Sequence, residues 1–331
     1  MATFKITFKN GDTYVGEAVK GLPHGKGVYT FKNGDVYEGE HANGYPCGVG
    51  VLTYKDGSVY KGTVKKGRPN GEGTYTFDDG DVYIGRMKKG MFHGQGKYYS
   101  GGVTLIYEGA WKNDEKHGFG TEYYDDGGKY VGNLKKGERH GKGTIYYPEG
   151  HSFKTYTGRF VNGRVKGKGT RVYSGGQSLS GTFDNGKLDN TKIVSFAAGG
   201  HKFTGTVNPD GSFHHGKVIL NNGEWYDGDL KDNQPHGYGR YHFESGNEYV
   251  GNWKDGNRHG YGTEYYADGD KCVGHWVNDK RLGKHTYYWA NGNKCEGEYY
   301  ADGTASGKMY YADGSTGYGR WDKDGKPVNR N

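Results

Sequence analysis

Residues that would share one face of an extended strand recur along this chain at a fixed spacing, most completely at Tyr249–Gly262, YVGNWKDGNRHGYG. Tyr249, Gly251 and Trp253 stand two apart, and because side chains alternate along a strand they point the same way. Asp255-Gly256 is a turn signal, and His259-Gly260-x-Gly262 then runs through Tyr265 and Tyr266 to a second turn at Asp268-Gly269. The pattern predicts strand, turn, strand, turn, which is one β-hairpin. No stretch of 10 residues shows helical periodicity free of glycine.

The glycine of the Tyr-x-Gly step recurs at 16, 39, 62, 85, 109, 132, 158, 181, 205, 228, 251, 274, 297 and 319, at intervals of 22 to 26 residues. Fourteen occurrences at so regular a period define an internal repeat. Two residues before the glycine stand Tyr14, Tyr37, Tyr60, Tyr83, Tyr107, Tyr130, Tyr156, Tyr226 and Tyr249, with Leu179, Phe203, Cys272, Cys295 and Gly317 in the remaining copies. HGxG is intact from His24, His93, His117, His140, His236 and His259, and Cys47, Asn70 and Lys166 replace its first residue elsewhere. These histidines are assigned to turns. KNGD, KDGS, DDGD and ADGD sequences close most units with the Asn-Gly or Asp-Gly that hairpin turns prefer.

The Y-x-G-x-W and H-G-x-G elements resemble the MORN repeat family, and the resemblance covers nearly the whole chain in about fourteen copies. KITFKNGD at Lys5–Asp12 looks like the second strand of an incomplete unit, and GRWDKDGK at Gly319–Lys326 like a lone first strand. The fold expected is all-β: an elongated single-layer antiparallel β-hairpin solenoid, a MORN meander shaped as a twisted trough or rod. With about 4.8 Å between strands, some 28 strands would extend on the order of 130 Å. Residues 1–173 read as a regular array, 174–222 as degenerate repeats forming a bend or joint, and 223–331 as a second regular array ending in a half repeat.

Tyr37, Tyr60, Tyr83, Tyr107, Tyr130, Tyr226 and Tyr249, with Trp111, Trp253 and Trp276, are the expected repeat core. Bare glycines leave room for rings to lie across neighbouring backbone, so a thin sheet can bury aromatic groups without a second layer. Successive turns of a meander fall on opposite edges. One edge should therefore carry Lys65-Lys66, Lys88-Lys89 and Lys135-Lys136, and the other Asp78-Asp79, Asp125-Asp126, Asp268 and Asp313.

Composition changes this picture only at the margins. Glycine is 65 of 331 residues and mean hydropathy is −1.00, which alone would point to disorder, yet aromatic residues reach 15%. The formal charge is +7, and Lys61–Lys168 holds 20 Lys and Arg against 12 Asp and Glu. That strip makes Lys65, Lys66, Lys88, Lys89, Lys135 and Lys136 the candidate contacts to an acidic surface or anionic lipid. No run approaches the roughly 18 apolar residues of a membrane span, and MATFKITFKN lacks an apolar signal-peptide core, so a cytoplasmic protein is expected.

Chemistry is sparse. Equivalent histidines of successive hairpins lie about 9 to 10 Å apart, whereas zinc needs ligand atoms about 2 Å from one ion, so no metal and no cofactor are expected. Cys272 and Cys295 share the tyrosine column at the same spacing and should remain free thiols, and Cys47 replaces a turn histidine with no reactive role expected. HExxH, GxSxG, the Walker loop and CxxC are absent, and the chain reads as no enzyme. The resemblance implies a scaffold for protein partners in cytoskeletal or ciliary assemblies such as radial spokes, with self-association through exposed terminal strands. Its alternative is a peripheral adaptor on anionic membranes. A local excess of eight positive charges, with the aromatic face committed to packing, argues against nucleic acid.

Overall fold

The computed structural model describes residues 3–190, 192–208, 210, 212–323 and 328. Among them there is no helix, and 29 strands alternate with turns in antiparallel pairing. The chain divides into two compact units: one runs to Ser174 and includes Asp184–Gly186, and the other comprises Gly175–Phe183 and the chain from Lys187 on. In the first, consecutive strands from Phe4–Thr7 to Arg164–Tyr173 form an open meander, since Phe4–Thr7 pairs only with Thr13–Val19. A second meander runs from Val194–Ala198 to Thr316–Trp321.

Each regular hairpin carries a bulge that the alternation of the sequence does not reveal. In the pair Lys129–Lys135 and Glu138–Tyr146, Gly132 faces Gly143 and Leu134 faces Arg139, so Asn133 alone stands opposite His140, Gly141 and Lys142. Gly141 absorbs the kink with φ of +70°, where a Cβ would be strained. The next junction is regular, with Gly143 on Gly158 and Gly141 on Phe160. HGxG is therefore the bulge itself. His24, His93, His117, His140, His236 and His259 lie in strands and not in turns, because the turn is made three and four residues earlier by pairs such as Lys136-Gly137.

The bulge and the tyrosine depend on each other. Tyr130 lies flat over Gly132 and Gly143, and its hydroxyl donates to the Asn133 carbonyl (2.9 Å), where the ladder is interrupted. Tyr60 to Thr63 (3.0 Å), Tyr83 to Arg86 (2.8 Å), Tyr107 to Ala110 (2.8 Å) and Tyr226 to Asp229 (2.7 Å) repeat the bond. Four residues after each tyrosine a second side chain wedges between successive rings: Trp253 stands edge-on to Tyr226 (5.6 Å) and Tyr249 (5.1 Å), and its Nε1 donates to the Gly239 carbonyl. Such edge-to-face pairs each add about 0.5–1.5 kcal/mol beyond their area.

Candidate interaction surfaces

Turns along one edge are two residues long with both backbones left-handed, the type I′ geometry that matches strand twist. Asn43-Gly44, Asn162-Gly163 and Asp255-Gly256 use favoured residues, whereas Lys66 (φ 51°), Lys89 (54°) and Lys136 (53°) occupy the same position in their hairpins. A lysine gains no local hydrogen bond there, and left-handed backbone costs an ordinary L-residue on the order of 1 kcal/mol. Backbone bonds from Gly67 to Pro46 (3.0 Å), Gly90 to Pro69 (2.8 Å) and Gly137 to Lys116 (2.9 Å) tie each turn to the preceding hairpin. Lys65, Lys66, Lys88, Lys89, Lys135 and Lys136 are all exposed, and none forms an ion pair among the described residues. Lys66→Asn combined with Lys89→Asn is expected to stabilise the fold by about 0.5–1 kcal/mol per site. Urea midpoints of the double variant check this, and an unchanged or lower midpoint refutes it.

The acidic edge has a different character. Oδ1 of Asp79, Asp126, Asp268 and Asp313 accepts the backbone N–H two residues on, at 2.8 to 3.1 Å. Asp81 accepts from the Gly101 N–H of the next turn and from the Tyr98 hydroxyl, both at 2.9 Å. These carboxylates build turns. The lysine side chains opposite make no such bond.

Tyr37, Tyr60, Tyr83, Tyr107, Tyr130, Tyr226, Tyr249, Trp111, Trp253 and Trp276 are all buried. Burial pushes the Tyr60 hydroxyl up to about 12, so it stays protonated and donates. Cys272 and Cys295 are buried free thiols, pushed by burial up to about 12 and about 11, which leaves them unreactive at neutral pH. Among the described residues no group of three His, Cys, Asp or Glu could hold a metal ion.

Two histidines belong to the core. His41 is 3% exposed at the tryptophan position of its copy, edge-on to Tyr14 (4.8 Å) and Tyr37 (5.3 Å). His285 is 4% exposed and sits in the glycine column opposite Gly274. Each has an Nε2 without a hydrogen-bond partner among the described residues, and burial holds both rings below the ordinary imidazole value. A group whose pKa falls on folding contributes stability that is complete above its unfolded value, about 6.5, and is lost as pH drops through it. Urea midpoints are therefore expected to decline from about pH 6.5 to 5, and His41→Phe should flatten the decline; an equally steep decline in that variant refutes the assignment.

A buried ion network carried no legible signal beyond the sequence TEYY, which occurs at 121–124 and 263–266. Glu264, 7% exposed, accepts from Arg258 Nη1 (3.0 Å), Arg281 Nη2 (2.8 Å) and the Tyr266 hydroxyl (2.9 Å). Both guanidiniums lie over Trp276, at 4.3 and 5.3 Å from the ring. Glu122 holds a looser counterpart, with Lys116 at 2.9 Å and Arg139 at 3.5 Å.

On the face away from the core, the variable residue of HGxG projects outward. Phe119 there is 62% exposed, and in the second unit Tyr238 and Tyr261 are 60% and 62% exposed, with Tyr318 at 69% on the last strand. Nothing in the packing requires rings at these positions.

Hairpins stacked by tyrosine rings over paired glycines, with charged and aromatic groups left on the edges and outer face, define a repeat scaffold. The MORN repeat profile matches residues 14–36, 37–59, 60–82, 83–103, 107–129, 130–152, 156–178, 226–248, 249–271 and 272–294, well over half of the sequence, and the chain belongs to that family. No curated protein sequence matches it. Among 48 matching chains of solved structures is the TCP domain of Drosophila melanogaster SAS-4 (dCPAP) in complex with a proline-rich motif of Ana2 (dSTIL). It is 9% identical, the match covers 96% of this chain and 88% of that one, and the TM-score of 0.10 carries no inference.

Proposed function

We propose that this chain is a non-catalytic scaffold that binds protein partners along its repeat surface, as a structural part of a cytoskeletal or ciliary assembly in the cytoplasm. The observation that supports protein binding is the set of exposed rings at Tyr238, Tyr261 and Tyr318, held on a rigid sheet where packing makes no use of them. Exposed aromatic side chains on a rigid backbone lose little entropy on docking and commonly dominate interface energies. The cytoskeletal or ciliary setting rests on the family resemblance alone. Proximity labelling with the wild type and with the triple variant Tyr238→Ser, Tyr261→Ser, Tyr318→Ser tests the reading. Cytoskeletal or ciliary neighbours lost in the variant, at unchanged thermal stability, support it; an identical neighbour set in both sinks it.

A second reading, docking on an anionic membrane, is favoured by one observation: lysine at the left-handed turn positions 66, 89 and 136. Each basic group near an anionic surface contributes about 1 kcal/mol. Flotation with phosphatidylinositol-phosphate vesicles that survives about 0.3 M salt, and is lost when Lys65, Lys66, Lys88 and Lys89 become Glu, favours the membrane. No flotation, or flotation indifferent to those changes, removes it.

A further inference from the structure

In every regular copy the space above the paired glycines is filled by the tyrosine two residues upstream, as Tyr249 fills it over Gly251 and Gly262. The next copy has Cys272 in place of that ring, and its strand partner position is His285 instead of glycine. A Cβ on Gly274 would meet His285 Nε2 at 2.6 Å, so the imidazole occupies the place of the missing ring. The copy after that is small on both sides. Cys295 replaces the tyrosine, Gly297 faces Gly307, and a Cβ on either glycine would meet only backbone and the Cys295 sulfur within the nearest contacts.

A cleft of about 500 Å³ opens at this point in the second unit, and Cys295, Gly297, His285, Arg281, Tyr299 and Trp321 line it. Its volume lies in the range of side-chain and small-ligand sites. His285 faces Gly297 directly across the strand pair, with its ring turned over Gly274 and its Nε2 closed off from solvent. Arg281 Nε has no hydrogen-bond partner among the described residues, although Nη2 is bonded to Glu264.

We propose that this cleft receives an aromatic side chain, tyrosine for preference, from another polypeptide. The ring lies over Gly297 beside the Cys295 sulfur, in the place that the chain's own tyrosines take over every regular glycine pair. The proposal rests on the protein-scaffold reading and names the chemistry of the partner's anchor.

The first test uses p-cresol, the tyrosine side chain alone, titrated into the full-length protein and followed by amide chemical shifts. Saturable shifts confined to residues around His285, Gly297 and Gly307 are expected. Cys295→Tyr should fill the space from within, raise the thermal midpoint and weaken p-cresol binding at least tenfold. The second test selects binders from a random peptide library on the wild-type protein. Enriched peptides should share a Tyr, Phe or Trp, lose at least tenfold in affinity for Cys295→Tyr, and compete with p-cresol. Absence of p-cresol binding, or equal binding to both proteins, overturns the proposal. Peptides that bind elsewhere and ignore Cys295→Tyr overturn it while leaving the scaffold reading standing, and p-cresol binding with no aromatic peptide enriched overturns its polypeptide half. Shift mapping on the wild type decides the location even if Cys295→Tyr does not fold.

Discussion

Gly143→His is expected to destabilise the first unit by about 3 kcal/mol or more, and Tyr130→Cys by about 3–5 kcal/mol, yet the two together by only about 1–2 kcal/mol. A Cβ at Gly143 would come within 2.5 Å of Tyr130 Cε2 and Cζ, so the added imidazole must expel a fully buried ring and break its bond to the Asn133 carbonyl. Tyr130→Cys alone leaves a ring-sized void. Combined, they reproduce the Cys272 and His285 arrangement that this chain already uses, with one flat ring exchanged for another in the same space. The coupling energy should therefore reach at least the upper end for residues in contact, about 3 kcal/mol. Urea unfolding of the four proteins measures it. Hydrogen exchange at Lys129–Lys135 and Glu138–Tyr146 localises it, because each repeat is stabilised mainly by its neighbours. Additive effects would show that the two positions do not share a space.

Glu264→Ala should cost about 3 kcal/mol, a loss out of proportion to the surface charge it removes. Its carboxylate is the only described acid lying between the Arg258 and Arg281 side chains, which are 19% and 26% exposed and stack on Trp276. Without it, two like charges remain partly buried beside one another. Arg258 keeps Asp279 at 3.1 Å, but that acid is half exposed and does not reach Arg281. Glu122→Ala is the internal comparison and should cost about 1 kcal/mol, since the Arg139 contact is longer and Leu134 replaces the tryptophan. Denaturation midpoints read by tryptophan emission test both. Equal losses at the two positions would mean that the guanidinium stack on Trp276 adds nothing.

Much of the architecture was legible from residue types. Tyr-x-Gly at a nearly constant interval marks one strand and Asn-Gly or Asp-Gly marks the turns, and both are short-range signals. The bulge was not legible: HGxG fits a turn as well as a strand, and only the pairing of Asn133 against His140–Lys142 distinguishes them. Glu264 gave no sign of burial either, because a glutamate in a strand ordinarily faces water. The profile that identifies the family is written in the same tyrosines and glycines, so it says as little as they do about where partners bind.

By itself the sequence determined the repeat, the hairpin, the separation of lysine and aspartate turns onto opposite edges, and the tyrosines and tryptophans of the core. These follow from strand alternation and turn chemistry within a few consecutive residues. The tertiary structure alone decided which side chain fills each space: Tyr130 over Gly143, His285 in the place left by Cys272, and only the Cys295 sulfur at Gly297 and Gly307. Those relations depend on the register between strands, and a register joins residues 10 to 13 positions apart that no local pattern couples.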